Sequence, residues 1–451
     1  MLEMEENFHH RNSAQNGSIE MQSVNDFGDN DSQEINPLVP LGEENSKDLA
    51  FDDGHGGPPP GSATSSQVVI NIVISFVGAG LLGVPNAFMK SGWLLGSAAL
   101  LVVSALNVYA MLRLPAVQVA LQAKYPAEQL HTYGDVGRCV MGRTGEIVVQ
   151  MCLAISQAGF GTAYIIFIAA NIKSIAHVSR LYICLGCIPG LVLLVQFRDL
   201  KSLSPFSLLA NTANFAALCS VLFQDYESYT PHNDTIHAIK WDGLWYVIAV
   251  TIYSMEGVGL ILSLKGSSKN QQQFPKLFIG TITIISLFMA FFGAAGYVGF
   301  GNATDAPITL NMASNWSTMF VKLALCLGLY LTFPIMMFPI WNIFEGWNEK
   351  IFRDSTLGRV CSRSSVVLMA ATIAYSFPHF GKFLGLVGSS ICTMLAFIFP
   401  CYFHLEVLGS ELSWLQYSLD VTILIGAVLF ALKGTYESVI GMMNGEGGEE
   451  L

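Results

Sequence analysis

The residue most at odds with its surroundings is Glu256, in YSMEGVGLILSLK (253–265), inside an apolar run from about 242 to 264. A carboxylate at mid-membrane depth is costly, so an acid there is a functional candidate by default. Gly257 and Gly259 stand beside it. A second run, FVGAGLLGVP (76–85), holds Gly78, Gly80 and Gly83, then Pro85. Each interior Gly costs about 1 kcal/mol of helix stability relative to Ala, and an interior Pro about 3. Breaks of this kind free backbone groups. N–H groups at a half-helix start attract an anion such as a carboxylate, and freed carbonyls attract an ammonium or a metal cation. A zwitterion the size of an amino acid fits that polarity. The alternatives are plain: glycines also serve close helix packing, and Glu256 can act as a hydrogen-bonded clamp on the break instead of a proton carrier.

These residues need a membrane scaffold, and the composition supplies one. Of 451 residues, 52% are hydrophobic and 12% charged, with a mean hydropathy of +0.49, where a soluble domain carries about 25% charged residues. Eleven apolar runs of membrane-crossing type lie at about 67–89, 93–115, 146–172, 181–196, 203–223, 242–264, 277–299, 317–344, 364–377, 383–405 and 413–433. Residues 1–66 hold thirteen acids against Arg11 and Lys47, which accounts for the whole net charge of -11. That segment reads as a disordered cytosolic tail, with GGPPPG (56–61) as a linker. The eleven-helix membrane domain spans 67–433, and 434–451 form a short acidic C-terminal tail. The acidic start lacks a cleavable signal, so the first span is expected to act as the targeting signal.

Placing the N-terminus in the cytosol puts thirteen Lys and Arg in inner loops, Arg113 and Arg363 among them, and seven in outer ones; cationic loops favour the inside. The sequons at Asn233, Asn302 and Asn315 then fall outside, and the C-terminus is luminal or extracellular. Of the nine cysteines, Cys184 and Cys187 form a CxxC inside an apolar run, where packing is the expected role. His404, Glu406 and Asp420 read as interfacial or partner-facing residues near the ends of the last two spans.

The interrupted first and sixth spans are five helices apart, the spacing of a five-plus-five inverted repeat. In such transporters the broken helices meet at the midplane and form the substrate and ion sites. Unwound backbone survives at that depth only where it lines a polar cavity.

At these residues the chain resembles the amino acid/auxin permease family. VGAGLLGVPNAFMKSGWLLG (77–96) is similar to that family's first-helix signature. TYGDVGRCVMG (132–142) is similar to its loop before helix three, and YIIFIAANIKSI (164–175) to the outer half of that helix. YSMEGVGLIL (253–262), YLTFPIMMFPIWNIFE (330–345) and LVGSSICTMLAFIFPCYFHL (386–405) resemble helices six, eight and ten. The likeness covers residues 67–433 and is greatest to plant and algal vacuolar or aromatic-and-neutral amino acid transporters. One departure stands out: in LSLKGSSK, Ser263 replaces a family proline and Lys265 a family acid. This leaves a gate built on that acid in doubt.

The resemblance implies an all-α polytopic membrane protein of eleven helices, leucine-transporter-like, working by alternating access with H⁺ or Na⁺ as coupling ion. N–H groups of Gly78, Ala79, Gly80 and Leu81 are expected to cradle the substrate carboxylate. Ser254, Met255 and Gly257 are expected to serve the ammonium and side-chain pocket. Glu256 is the proton-coupling candidate. Thr332 is either a Na⁺ ligand or a hydroxyl bonded to its own backbone. Tyr164, Gln157, Asn171, Ser389 and Ser390 face either the pathway or neighbouring helices. The expected function is proton-coupled transport of neutral, including aromatic, amino acids by a monomeric unit in a vacuolar or lysosomal membrane, with the plasma membrane as the other location. The alternatives are an auxin-like organic-anion carrier, or a non-transporting amino acid sensor signalling through the N-terminal tail. No phosphate-binding Gly-Lys loop, catalytic triad or HExxH is present. An ATP-driven pump, an enzyme, a bound cofactor and a nucleic-acid partner are therefore not expected.

Overall fold

The computed structural model describes residues 61–128, 130–197, 212, 215–223, 236–347 and 355–443. The acidic stretch before residue 61 and the end of the C-terminal tail lie outside the described residues. The described chain is an all-helical polytopic membrane protein. Eight helices in it are long and apolar enough to cross a membrane, or nine when one bent pair counts as a single span.

That bent pair is the first predicted span. α1 (Ser65–Phe76) starts on a capping box, in which Thr64 accepts from the Gln67 N–H and Gln67 answers the Thr64 N–H. α2 (Ala79–Ser91) leaves it at 46°. α3 (Trp93–Lys124) runs two turns beyond the predicted end at residue 115, through Pro115. An interior proline leaves the carbonyl four residues earlier without its helical donor, which membrane helices tolerate; separately, the Pro115 carbonyl accepts from Lys265 Nζ at 3.4 Å.

α4 (Tyr133–Ala176) begins earlier than the predicted 146 because Thr132 and Asp135 form a second capping box. What reads as a loop in TYGDVGRCVMG is therefore a capped helix. It turns at Gly142, whose φ of 69° favours glycine, before the long apolar portion. α5 (Arg180–Leu194) is a short apolar helix. The predicted span 203–223 falls largely outside the described residues, of which 212 and 215–223 are helical.

The sixth span is two pieces, α6 (Leu244–Ser254) and α7 (Ile261–Ser267). α8 (Phe274–Phe300) and α9 (Trp316–Trp347) follow. α10 (Thr356–Ser376) starts before the predicted 364 because a charge that hydropathy places in a loop is inside the helix. Arg363 is 6% exposed and pairs with Glu345 of α9 at 2.8 Å, while donating to the carbonyls of Val195 and Phe197. α11 (Phe380–Leu408) is wound as a π-helix over Gly388–Cys392 and Met394–Ile398. α12 (Trp414–Met443) closes the chain.

α9 lies along α4, α3 along α8, and α11 against α6 and α12. Two charges expected at the interface are instead buried: His404 of α11 is 2% exposed and Asp420 of α12 not at all. They pair with each other, which lets a low-dielectric site hold them.

Candidate functional site

The two breaks meet side by side. The last turn of α1 ends at Val77, and Gly78 is extended (φ −125°, ψ −168°) before a tight turn restarts the helix. The first N–H there to find a backbone acceptor is that of Leu81, on Gly78 O at 3.2 Å. The N–H groups of Gly78, Ala79 and Gly80 precede it, where a helix start leaves donors without partners in their own turn. Leu81 was expected in the same cradle; its N–H is already engaged, and its side chain is buried away from the cavity described below.

Opposite, α6 ends at Ser254 and α7 is reached through Met255, Glu256 and Gly257. Contact between the breaks demands glycine at two points. A Cβ on Gly80 would fall 2.8 Å from Ser254 Oγ and 3.1 Å from its Cα. A Cβ on Gly257 would fall 2.5 Å from the Phe76 ring.

Side chains brace the second break. Glu256 stands at the start of the restarted helix, beside the Val258 N–H. Asn107 of α3 donates Nδ2 to the Met255 carbonyl at 2.9 Å. Three polar atoms around this brace are buried without a hydrogen-bond partner: Glu256 Oε2, Asn107 Oδ1 and Ser254 Oγ. Such atoms are rare in folded proteins and mark places where a water, ion or proton is received. Asn107 did not figure in the sequence reading; the signal was a lone amide in the apolar run of α3.

A cavity of about 900 Å³ lies along both breaks. Gly78, Ala79, Gly80, Ser254, Glu256 and Gly257 line it, as do Tyr164, Gln157 and Thr332. Glu256 is the one charged side chain at its deep end; Asp135, Arg143 and Glu146 line the other end, where Arg143 and Gly346 are exposed. The deep wall is aromatic, with Phe160 and Tyr253 ring centroids 4.7 Å apart.

Beyond that wall the bundle is shut. Asn86 of α2 donates to Thr304 O at 2.7 Å and accepts from Tyr246 of α6 at 3.2 Å. Lys240 donates to Met89 O at 3.0 Å. At the open end, a short bridge ties the start of α1 to the end of α7: Ala63 N donates to Ser267 O and Lys269 N to Ala63 O, both at 2.9 Å.

Several expected residues lie elsewhere. Met255 is 1% exposed and faces away from the cavity, offering its carbonyl to Asn107. Ser389 is fully buried, donates to Leu386 O at 3.3 Å and packs against Gly434 of α12. Ser390 donates to the same carbonyl. Asn171 bonds Thr309 and Phe167 O away from the cavity. Thr332 lines the cavity, yet its hydroxyl bonds its own helix at Gly328 O, 2.9 Å away.

A family profile for transmembrane amino acid transporter proteins matches residues 61–440. The chain belongs to that family. The chain is 33% identical over 405 residues to amino acid transporter ANT1 of Arabidopsis thaliana, covering 85% of this chain and 94% of that one. It is 25% identical to vacuolar amino acid transporter 4 of Saccharomyces cerevisiae, covering 85% of this chain and 59% of the relative. Among solved structures, the inward-facing conformation of Mhp1 is similar with a TM-score of 0.55 at 12% identity, covering 85% of this chain and 93% of that one. A closed, ligand-bound form of Mhp1 scores 0.53. The fold is thus that of a transporter built like Mhp1. As a multi-pass member of an amino acid transporter family, the chain is not an enzyme.

Proposed function

We propose that this family member is a proton-coupled carrier of neutral amino acids, aromatic ones included, working by alternating access. The observation that carries this reading is the pairing of bare N–H groups at Gly78–Gly80 with a second break whose only charged side chain is Glu256. A substrate carboxylate suits the first break, and its ammonium the carbonyls at the ends of α1 and α6. The side chain then meets Phe160, Tyr164 and Tyr253, a surface with no fixed charge to pair a cationic or anionic side chain. Glu256 is the proton carrier, its unpartnered buried oxygen taking and releasing the proton.

The cavity's reach to one end and the closure of the other support an inward-open state, with Thr132, Arg143 and Gly346 toward the cytosol. This orientation puts the N-terminus in the cytosol and the C-terminus in a lumen. The name of the yeast relative favours the vacuolar membrane. H⁺ is favoured over Na⁺ as coupling ion because Glu256 is the one charged side chain at the deep end of the cavity. The transport unit is a monomer, because both breaks and the cavity come from one chain.

Uptake into proteoliposomes, with a panel of amino acids and imposed pH or Na⁺ gradients, tests this reading. Accumulation of neutral amino acids driven by the pH gradient is expected. Binding with no accumulation would establish a sensor instead, and preference for organic anions without an amino group would establish an auxin-like carrier.

A further inference from the structure

A cluster of titratable side chains outside the cavity, His404, Asp420 and Cys401 buried and Tyr109 and Arg113 half-buried, joins α3, α11 and α12. His404 Nδ1 lies 2.5 Å from Asp420 Oδ2. Tyr109 of α3 donates its hydroxyl to Asp420 Oδ1 at 2.8 Å. Arg113, one turn along α3, holds its guanidinium 3.8 Å from the Tyr109 ring centroid and leaves a buried Nε without a partner. Cys401 of α11 lies within electrostatic range of both Asp420 and Arg113. Tyr109 and Arg113 from α3 and Cys401 from α11 are titratable and charged groups near the pair.

Both carboxylate oxygens are already engaged, one by a hydroxyl and one by an imidazole. The imidazole has a second nitrogen, so it can accept a proton without giving up its contact with Asp420. That proton would place a full positive charge in a water-poor site, where charges interact far more strongly than in water. The new charge draws α11 and α12 together through Asp420 and repels Arg113 on α3.

α11 is well placed to pass such a change on. A Cβ on its Gly388 would fall 2.0 Å from the Ala249 carbonyl oxygen of α6, the half-helix that ends at the cavity. On its other side Ser389 abuts Gly434 of α12. We propose that the Asp420–His404 pair is a proton-binding site separate from the substrate cavity. Its occupancy sets how α11 is shared between α12 and α3, and so how freely the deep wall at α6 moves.

The test is thermal, so it stands or falls independently of what the chain transports. The full chain is purified in detergent, and the unfolding midpoints of the parent and of His404→Asn are measured from pH 5 to 8. Asn offers an amide donor near the place of Nδ1 and cannot take the proton. The gap between the two midpoints should change by more than about 2 °C across the range. A constant gap overturns the proposal. Tyr109→Phe, which removes one donor to Asp420 and keeps the pair, is measured alongside in case H404N does not purify. It should move the pH at which the parent's midpoint changes, and a profile superimposable on the parent's overturns the proposal equally.

Discussion

The two breaks are built on opposite principles. The first, at Val77–Gly80, is made by leaving things out: three glycines in six residues, an extended Gly78 and no bracing side chain on its donors. The second, at Met255–Gly257, is made by putting things in. A carboxylate stands at the start of the restarted helix, and an amide from α3 holds the Met255 carbonyl. A bare break offers fixed dipoles that nothing titrates, suited to a constant carboxylate. A braced break is held by groups whose state can change, suited to a coupling ion. The two touch through Gly80 against Ser254 and Gly257 against Phe76, so a change in one is felt in the other.

The hardest way to break this arrangement is to separate the two halves. Gly80→Val would set carbon atoms 2.8 Å from Ser254 Oγ and 3.1 Å from its backbone, which a rotamer change cannot relieve. A misplacement of about 1 Å can cost about a hundredfold in rate, so uptake should fall below about 1% of the parent's while abundance in the membrane is retained. Uptake and quantitative blotting in the same cells check this. Loss of abundance in step with uptake would return the glycines of the first break to a packing role.

Glu256→Gln separates the two tasks of the brace. Glutamine keeps the size of the side chain and an oxygen at the start of the restarted helix but carries no proton. Accumulation against a gradient should disappear, and exchange of internal for external substrate should survive and lose its pH dependence. Concentrative, pH-dependent uptake by E256Q would leave Glu256 as a clamp alone.

Asn107→Leu strikes the brace from behind. It leaves the Met255 carbonyl buried and unpaired, a cost of about 1–3 kcal/mol. A lowered melting temperature and about a tenfold slower turnover are expected, with half-saturation changed less, because Asn107 lies outside the cavity lining. Half-saturation rising alone would mean that the second break binds substrate directly through this amide.

Much of this contrast is legible in the residue string, and the reasons are physical. Breaks made by glycine and a lone mid-span acid violate helix preference and membrane solvation, and violations are visible locally. Helix ends set by pairing are not. Arg363 reads as a loop charge until Glu345, eighteen residues away, is seen beside it. Asp420 and His404 read as interface residues for the same reason, since each is affordable in the core only through the other. The cap at Thr132 was written in the chain as Thr-x-x-Asp and yielded to the resemblance of that stretch to a loop. Ser389 can face the pathway or a neighbour from its span alone; on the π-wound stretch of α11 it packs against Gly434.

The mildest change sharpens the comparison most. Gly78 sits at φ −125°, a region open to any residue, and a Cβ there meets nothing within 4 Å. Gly78→Ala therefore gives the fold nothing to object to, and abundance and melting temperature should match the parent's. The open space it enters is the cavity itself, beside the donors assigned to the substrate carboxylate. A methyl group there should weaken substrate binding by about 0.5 kcal/mol, about a twofold rise in half-saturation with maximal rate unchanged. Equal kinetics in G78A and the parent would move the carboxylate away from Gly78. The bare donors would then be those of Ala79 and Gly80 alone, pressed directly against Ser254, and the two breaks would form one continuous site rather than two facing ones.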